Sequence, residues 1–104
     1  MKTDYSFHAA QFFTATIYEW QPVLADDEYK NIIIESLQFL VTKKRIELNA
    51  FVIMNNHIHL IWQAMNDFTP SAIQASFMKY TAQQIRRSLI KNNPDMLARF
   101  KVKI

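Results

Sequence analysis

Apolar and polar residues recur along this chain with two different periods, and the changes between them mark its elements. Phe12-Phe13-Thr14-Ala15-Thr16-Ile17-Tyr18 is rich in aromatic and β-branched residues and predicts a strand. Pro22 marks a loop, and Asp26 or Asp27 suits a helix N-cap, with acidic residues in the first turn opposing the helix dipole. An apolar stripe at helical spacing follows in Tyr29, Ile32, Ile33, Leu37, Leu40 and Val41. It closes on Lys43-Lys44-Arg45, cations suited to a helix C-terminus. Two strands are predicted over 46–54 and 57–63, separated by Asn55-Asn56, a pair that tolerates the left-handed conformations of a tight hairpin. Thr69-Pro70 supplies a cap and first position for a second helix, which runs to Lys91 or Asn92 because Pro94 prevents simple continuation. The stretch 100–104 alternates like an edge strand.

The order is therefore β-α-β-β-α, with a last β if the tail pairs. That pattern predicts an α+β fold of the ferredoxin-like, split βαβ kind: an antiparallel sheet with its helices on one face. With 104 residues and no linker, repeat or low-complexity tract, a single domain spanning 1–104 is expected. Half the residues are hydrophobic, enough for a packed core. No apolar run is long enough to span a bilayer and nothing resembles a signal peptide, so a cytoplasmic protein without a membrane role is expected.

Two absences narrow the chemistry. Without cysteine there is no disulfide, thiolate metal site or cysteine nucleophile. Without glycine there is no glycine-rich phosphate loop, which excludes nucleotide-binding enzymes of the Walker or dinucleotide type. The net charge of +3 is compatible with a nucleic-acid partner but does not identify one.

His57 and His59 are the candidate residues for chemistry. Side chains alternate in a strand, so His57, His59 and Ile61 project to one face while Ile58, Leu60 and Trp62 project to the other. Two imidazoles on one face can converge on a divalent ion, because a neutral ring nitrogen offers a lone pair. By spacing alone, two partly exposed polar residues on a sheet explain the pattern as well.

The context of the pair is more specific. Phe51-Val52-Ile53-Met54-Asn55-Asn56-His57-Ile58-His59-Leu60-Ile61-Trp62 resembles the signature of the HUH-type tyrosine transposases, the REP-associated and insertion-sequence enzymes that act on single-stranded DNA. The strand over 12–18, the helix through Glu28 to Leu37, and Phe77-Met78-Lys79-Tyr80-Thr81-Ala82 resemble that family's first strand, first helix and following helix, so the resemblance covers most of the chain. It implies that His57 and His59 hold Mg²⁺ or Mn²⁺, that the partner is single-stranded or hairpin DNA, and that strands are cut through a 5′-phosphotyrosine link. It also implies a homodimer with sheets paired edge to edge. Asn55 stands where the family usually has proline, a change expected to loosen the turn without moving the histidines.

A second departure concerns the nucleophile. The family's tyrosine lies on a later helix in a Tyr-Ile-His-x-Asn-Pro-like stretch, with a third metal ligand one turn on. No such stretch occurs here, which reads as a chain cut before that helix or a nucleophile replaced. Tyr80 is the single tyrosine after the histidines, and Gln84, one turn beyond, shares its helix face as a candidate ligand. If Met78, Ala82, Ile85 and Leu89 form the buried stripe, Tyr80 points away from it; packing at the helix surface accounts for Tyr80 equally well. Lys79, Arg86 and Arg87, with Lys43, Lys44 and Arg45, are candidate phosphate contacts, or simply solvated basic faces. Trp20 and Trp62 are candidates for stacking on unpaired bases, but the alternation assigns Trp62 to the core. Tyr5, Tyr18 and Tyr29, in the N-terminal stretch, first strand and first helix, are weaker candidates than Tyr80, and no role follows for His8. The readings left open are a transposase, a non-catalytic DNA-binding remnant of one, and a structural domain on the same scaffold.

Overall fold

The computed structural model describes residues 9–17, 21–98, 100 and 102–103. Its elements follow the expected order: β1 (Gln11–Ile17), a 3₁₀ turn (Val23–Ala25), α1 (Asp27–Thr42), β2 (Ile46–Ile53), β3 (His57–Ala64), α2 (Pro70–Asn92), a four-residue α3 (Pro94–Leu97) and β4 (Val102–Lys103). The sheet order is β2-β3-β1-β4, and every neighbouring pair is antiparallel. β3 thus lies between β1 and β2, the split βαβ arrangement expected from the sequence. The tail does pair, through Val102 and Lys103 against Ile17 and Thr16. The 3₁₀ turn and α3 were not legible in advance.

Both helix starts use the expected caps. Asp26 accepts from the Glu28 N–H at 2.9 Å, and Thr69 accepts from the Ala72 N–H at 3.2 Å with Pro70 in the first turn. α3 repeats the device, with the Asn93 side chain accepting from the Met96 N–H ahead of Pro94.

Alternation on the strands sends Phe13, Ala15, Ile17, Ile58, Leu60, Trp62 and Ala64 toward the helices. Tyr29, Ile33, Ser36, Leu37 and Leu40 of α1 meet them, as do Ile73, Phe77, Thr81, Ile85 and Leu89 of α2. Val41, expected in the stripe of α1, is half-exposed, and Ser36 is buried in its stead. The stripe of α2 runs through Phe77 and Thr81, with Met78 and Ala82 at its flank. Thr81 enters an apolar layer because its hydroxyl donates to the Phe77 carbonyl at 2.8 Å, which leaves no unsatisfied polar group. At the centre, Phe13 stacks on Trp62 with ring centroids 5.5 Å apart, and Phe77 meets Trp62 edge-on at 5.3 Å. Trp62 is a core residue, as its strand parity requires.

The hairpin between β2 and β3 differs from expectation. Among the described residues positive φ occurs only at Lys44 and Asn66, so neither Asn55 nor Asn56 is left-handed. The Met54 N–H closes the loop on the His57 carbonyl at 2.8 Å, and tertiary bonds add to it: the Asn55 carbonyl accepts from the Leu24 N–H and the Asn56 carbonyl from the Ile17 N–H, both at 2.8 Å. A carbonyl is a group that proline also has, so the bond made through residue 55 does not depend on asparagine. β2 further carries an irregularity between Leu48 and Ala50, which leaves Asn49 outside the pairing register.

The absence of glycine has a local consequence at the end of α1. Lys44 donates to the Val41 carbonyl and Arg45 to the Leu40 carbonyl, the paired bonds of a Schellman motif. Lys44 occupies its left-handed position at φ 56°, where a Cβ is unfavourable. Lys44→Gly is accordingly expected to stabilise the fold by about 1 kcal/mol. Urea unfolding measures this, and an unchanged or lower midpoint would contradict it.

Candidate functional site

β3 places His57 and His59 on the face of the sheet turned away from both helices. The core side of the same strand, Ile58, Leu60 and Trp62, fixes which way the histidines point. Their rings stand edge to face, with centroids 4.7 Å apart and an interplanar angle of 81°.

Neighbours hold both rings at Nδ1. Thr14, opposite His59 in the β1–β3 register, brings its Oγ1 to 3.0 Å from His59 Nδ1. His57 Nδ1 lies 2.7 Å from Asn56 Oδ1, an acceptor, so it is Nδ1–H that donates and the lone pair of the neutral ring sits on Nε2. The same follows for His59 where Nδ1–H donates to the threonine oxygen. Metal-binding histidines are commonly oriented in this way, through the nitrogen that does not ligate. Sequence reasoning missed both supporting residues. Thr14 had a partial signal in its parity, opposite to Phe13 and Ala15, but its match to His59 depends on a register between strands 45 residues apart.

Tyr80 and Gln84 do not join this pair within the chain. α2 packs on the opposite face of the sheet, so the sheet stands between them and the histidines. Tyr80 is about half-exposed and borders a groove of roughly 230 Å³ between the two long helices, beside Glu35, Ser36, Phe39 and Ser76. It is exposed, as expected, although it lies ~100° round the helix from the centre of the packed face at Thr81, closer to that face than the predicted stripe implied. Tyr29 is buried under α1; Tyr5, His8, Tyr18 and Trp20 lie outside the described residues.

The basic residues are also remote from the histidines. Lys43, Lys44 and Arg45 follow α1 at the far end of the sheet, where Met65 donates to the Arg45 carbonyl. β3 runs from His57 to Ala64 there, eight residues spanning ~23 Å at strand spacing. The Arg45 guanidinium is held between the rings of Phe39 and Phe68, at 5.2 and 5.3 Å, and Lys43 stands 6.0 Å over Phe39. Lys79, Arg86 and Arg87 are exposed on the outer surface of α2.

The family model described as "Transposase IS200 like" matches residues 6–100. The chain belongs to the IS200-like transposase family. Among solved structures it is similar to a REP-associated tyrosine transposase bound to a REP hairpin, with a TM-score of 0.60 and 20% identity over 81% of this chain. A protein from Deinococcus radiodurans R1 assigned as a transposase superposes with a TM-score of 0.64 and 15% identity over the whole chain. The chain spans 52% of the first of these structures and 85% of the second. No curated protein matches the sequence.

The family is in general metal-dependent, and imidazole nitrogens of this kind are donors a divalent ion accepts. Among the described residues no group of three histidine, cysteine or acidic side chains forms a complete site. Glu47, which alternation puts on the same face opposite Gln63, is four residues and ~13 Å along the strand from His59. Oxygens of a bound phosphate and water are the ligands such a pair leaves room for. Thr14→Val keeps the shape of the side chain and removes its hydroxyl, and is expected to weaken Mn²⁺ binding by about 10- to 100-fold in calorimetric titration. Wild-type affinity in that variant would remove Thr14 from the site.

Proposed function

We propose that this chain binds single-stranded DNA, including strands that carry hairpins, and takes part in its metal-assisted cleavage and rejoining in the cytoplasm. The observation that carries the reading is the histidine pair, oriented at Nδ1 by Thr14 and Asn56 and presented on an open sheet face. A divalent ion held there, Mg²⁺ or Mn²⁺, supplies positive charge beside the phosphate oxygens. Nitrogen donors favour Mn²⁺ of the two, since Mg²⁺ prefers oxygen ligands. The chain's own part is to orient both rings at Nδ1, fixing the His57 tautomer, and to hold them on one side of the sheet.

Cleavage of the HUH type joins a tyrosine oxygen to phosphorus and breaks the bond to the 3′ oxygen, which leaves as a 3′-hydroxyl after taking a proton. The 5′-phosphotyrosine retains the bond energy, and the reverse attack restores the phosphodiester. The separation of Tyr80 from the histidines favours a second reading for the chain taken alone. In it, the described residues bind DNA and metal, and a tyrosine beside the phosphate comes from elsewhere. Lys43, Lys44, Lys79, Arg86 and Arg87 then act as outlying phosphate contacts whose contribution falls with salt.

The same reading includes a homodimer. β2 is an edge strand, with Phe51 and Val52 about half-exposed along it and Met54 just beyond its end, a surface suited to pairing with a second copy.

A gel assay with a labelled hairpin-bearing single strand and Mn²⁺ tests the first part. Binding is expected to depend on Mn²⁺ and to fall at least tenfold in His57→Ala and His59→Ala, with Tyr80→Phe binding as the wild type does. A covalent protein–DNA band lost in Tyr80→Phe would overturn the exclusion of Tyr80 from the site. Sedimentation tests the second part: a dimer is expected for the wild type and a monomer for Phe51→Lys, and a monomeric wild type would end the edge-pairing proposal.

A further inference from the structure

The open face of the sheet is organised in rows across the strands. Thr14, His59 and Val52 form one row, and Phe12, Ile61 and Ala50 form the next. Same-face residues in neighbouring rows are ~7 Å apart at Cα, so Phe12 stands one row beyond the residue that orients His59. Phe12 is 85% exposed, the highest value among the exposed large hydrophobic residues. Exposed apolar side chains that occur singly need no explanation. This one does not occur singly: Val52 is 51% exposed in the adjoining row, and Ala50 is exposed in its own. An aromatic ring in a neutral, apolar row beside two imidazoles forms a platform next to a phosphate site.

We propose that Phe12 stacks on an unpaired nucleobase of the bound single strand, one adjoining the phosphate at His57 and His59, and so positions that phosphate over the pair. The inference rests on the reading that the pair binds single-stranded DNA. A phosphate at the histidines leaves the base of its own or of the neighbouring nucleotide within reach of the next row. Stacking suits a strand of any sequence, since every base has a π-face. The row carries no charged side chain, so it adds no phosphate contact of its own. Phe12 is therefore a positioning residue: it acts through the placement of the phosphate and takes no part in bond making.

An abasic scan tests this. Labelled single strands, each lacking one base, are titrated by fluorescence anisotropy in Mn²⁺ against the wild type, Phe12→Ala and Phe12→Tyr. On the intact strand Phe12→Ala is expected to bind about tenfold more weakly, and Phe12→Tyr as the wild type does. One abasic position is expected to weaken wild-type binding by about the same factor and to leave Phe12→Ala unaffected. The abasic arm reads the wild-type protein, so it holds even where Phe12→Ala folds poorly. A flat scan alongside binding that His57→Ala abolishes would overturn the stacking role while leaving the DNA-binding reading intact. A flat scan with a lower oligomeric state in Phe12→Ala would assign Phe12 to a contact between copies and overturn it as well. Absence of wild-type binding to the intact strand would end both proposals.

Discussion

The packing of Trp62 against Phe13 and Phe77 is the contact on which the site depends. Truncation of one such buried ring to alanine costs about 3–5 kcal/mol, a large part of the stability of a domain this size. Because strand side chains alternate, burying Trp62, Leu60 and Ile58 forces His59 and His57 to the other face. A one-residue slip of β3 would turn the histidines into the core and the tryptophan into solvent, so core energetics enforce the register of the site. The site needs little stabilising interaction of its own.

The same register brings Thr14 to His59. β1 contributes nothing to the HUH signature, yet its outward residues complete the open face: Thr14 on the ring nitrogen and Phe12 one row away. The helices complete the other face and act on the pair only through the core that fixes the register of β3. The architecture therefore separates its tasks by layer, with burial on one side of the sheet and ligand chemistry on the other.

Much of this was legible in the sequence, for identifiable reasons. Periodicity exposed the elements, the caps at Asp26 and Thr69 gave the helix starts, and parity gave the faces of His57, His59 and Trp62. Each of these depends on residues within a few positions of one another. Most of what failed depends on long-range pairing. The Asn55-Asn56 turn looked self-sufficient, but Ile17 and Leu24 anchor both of its carbonyls as well. Tyr80 and Gln84 share a helix face as expected, yet only the layer arrangement shows which side of the sheet that helix occupies. The stripe of α2 was misplaced because Thr81 looks polar, and its back-bond to Phe77 is invisible in one dimension. The irregularity after Leu48 left no recognisable mark.

The anchoring of the hairpin through the Asn55 and Asn56 carbonyls has a consequence for how such a site is inherited. The sequence signature is short and contiguous, which invites treating it as a cassette. Yet its backbone is held by Ile17 and Leu24, and one of its two rings by a threonine 45 residues upstream. Copied alone into another protein, residues 51–62 would carry the letters without the geometry. The pair's geometry draws on β1, the 3₁₀ turn and the hairpin together over the shared core, and substitutions on β1 test the histidines as directly as substitutions beside them.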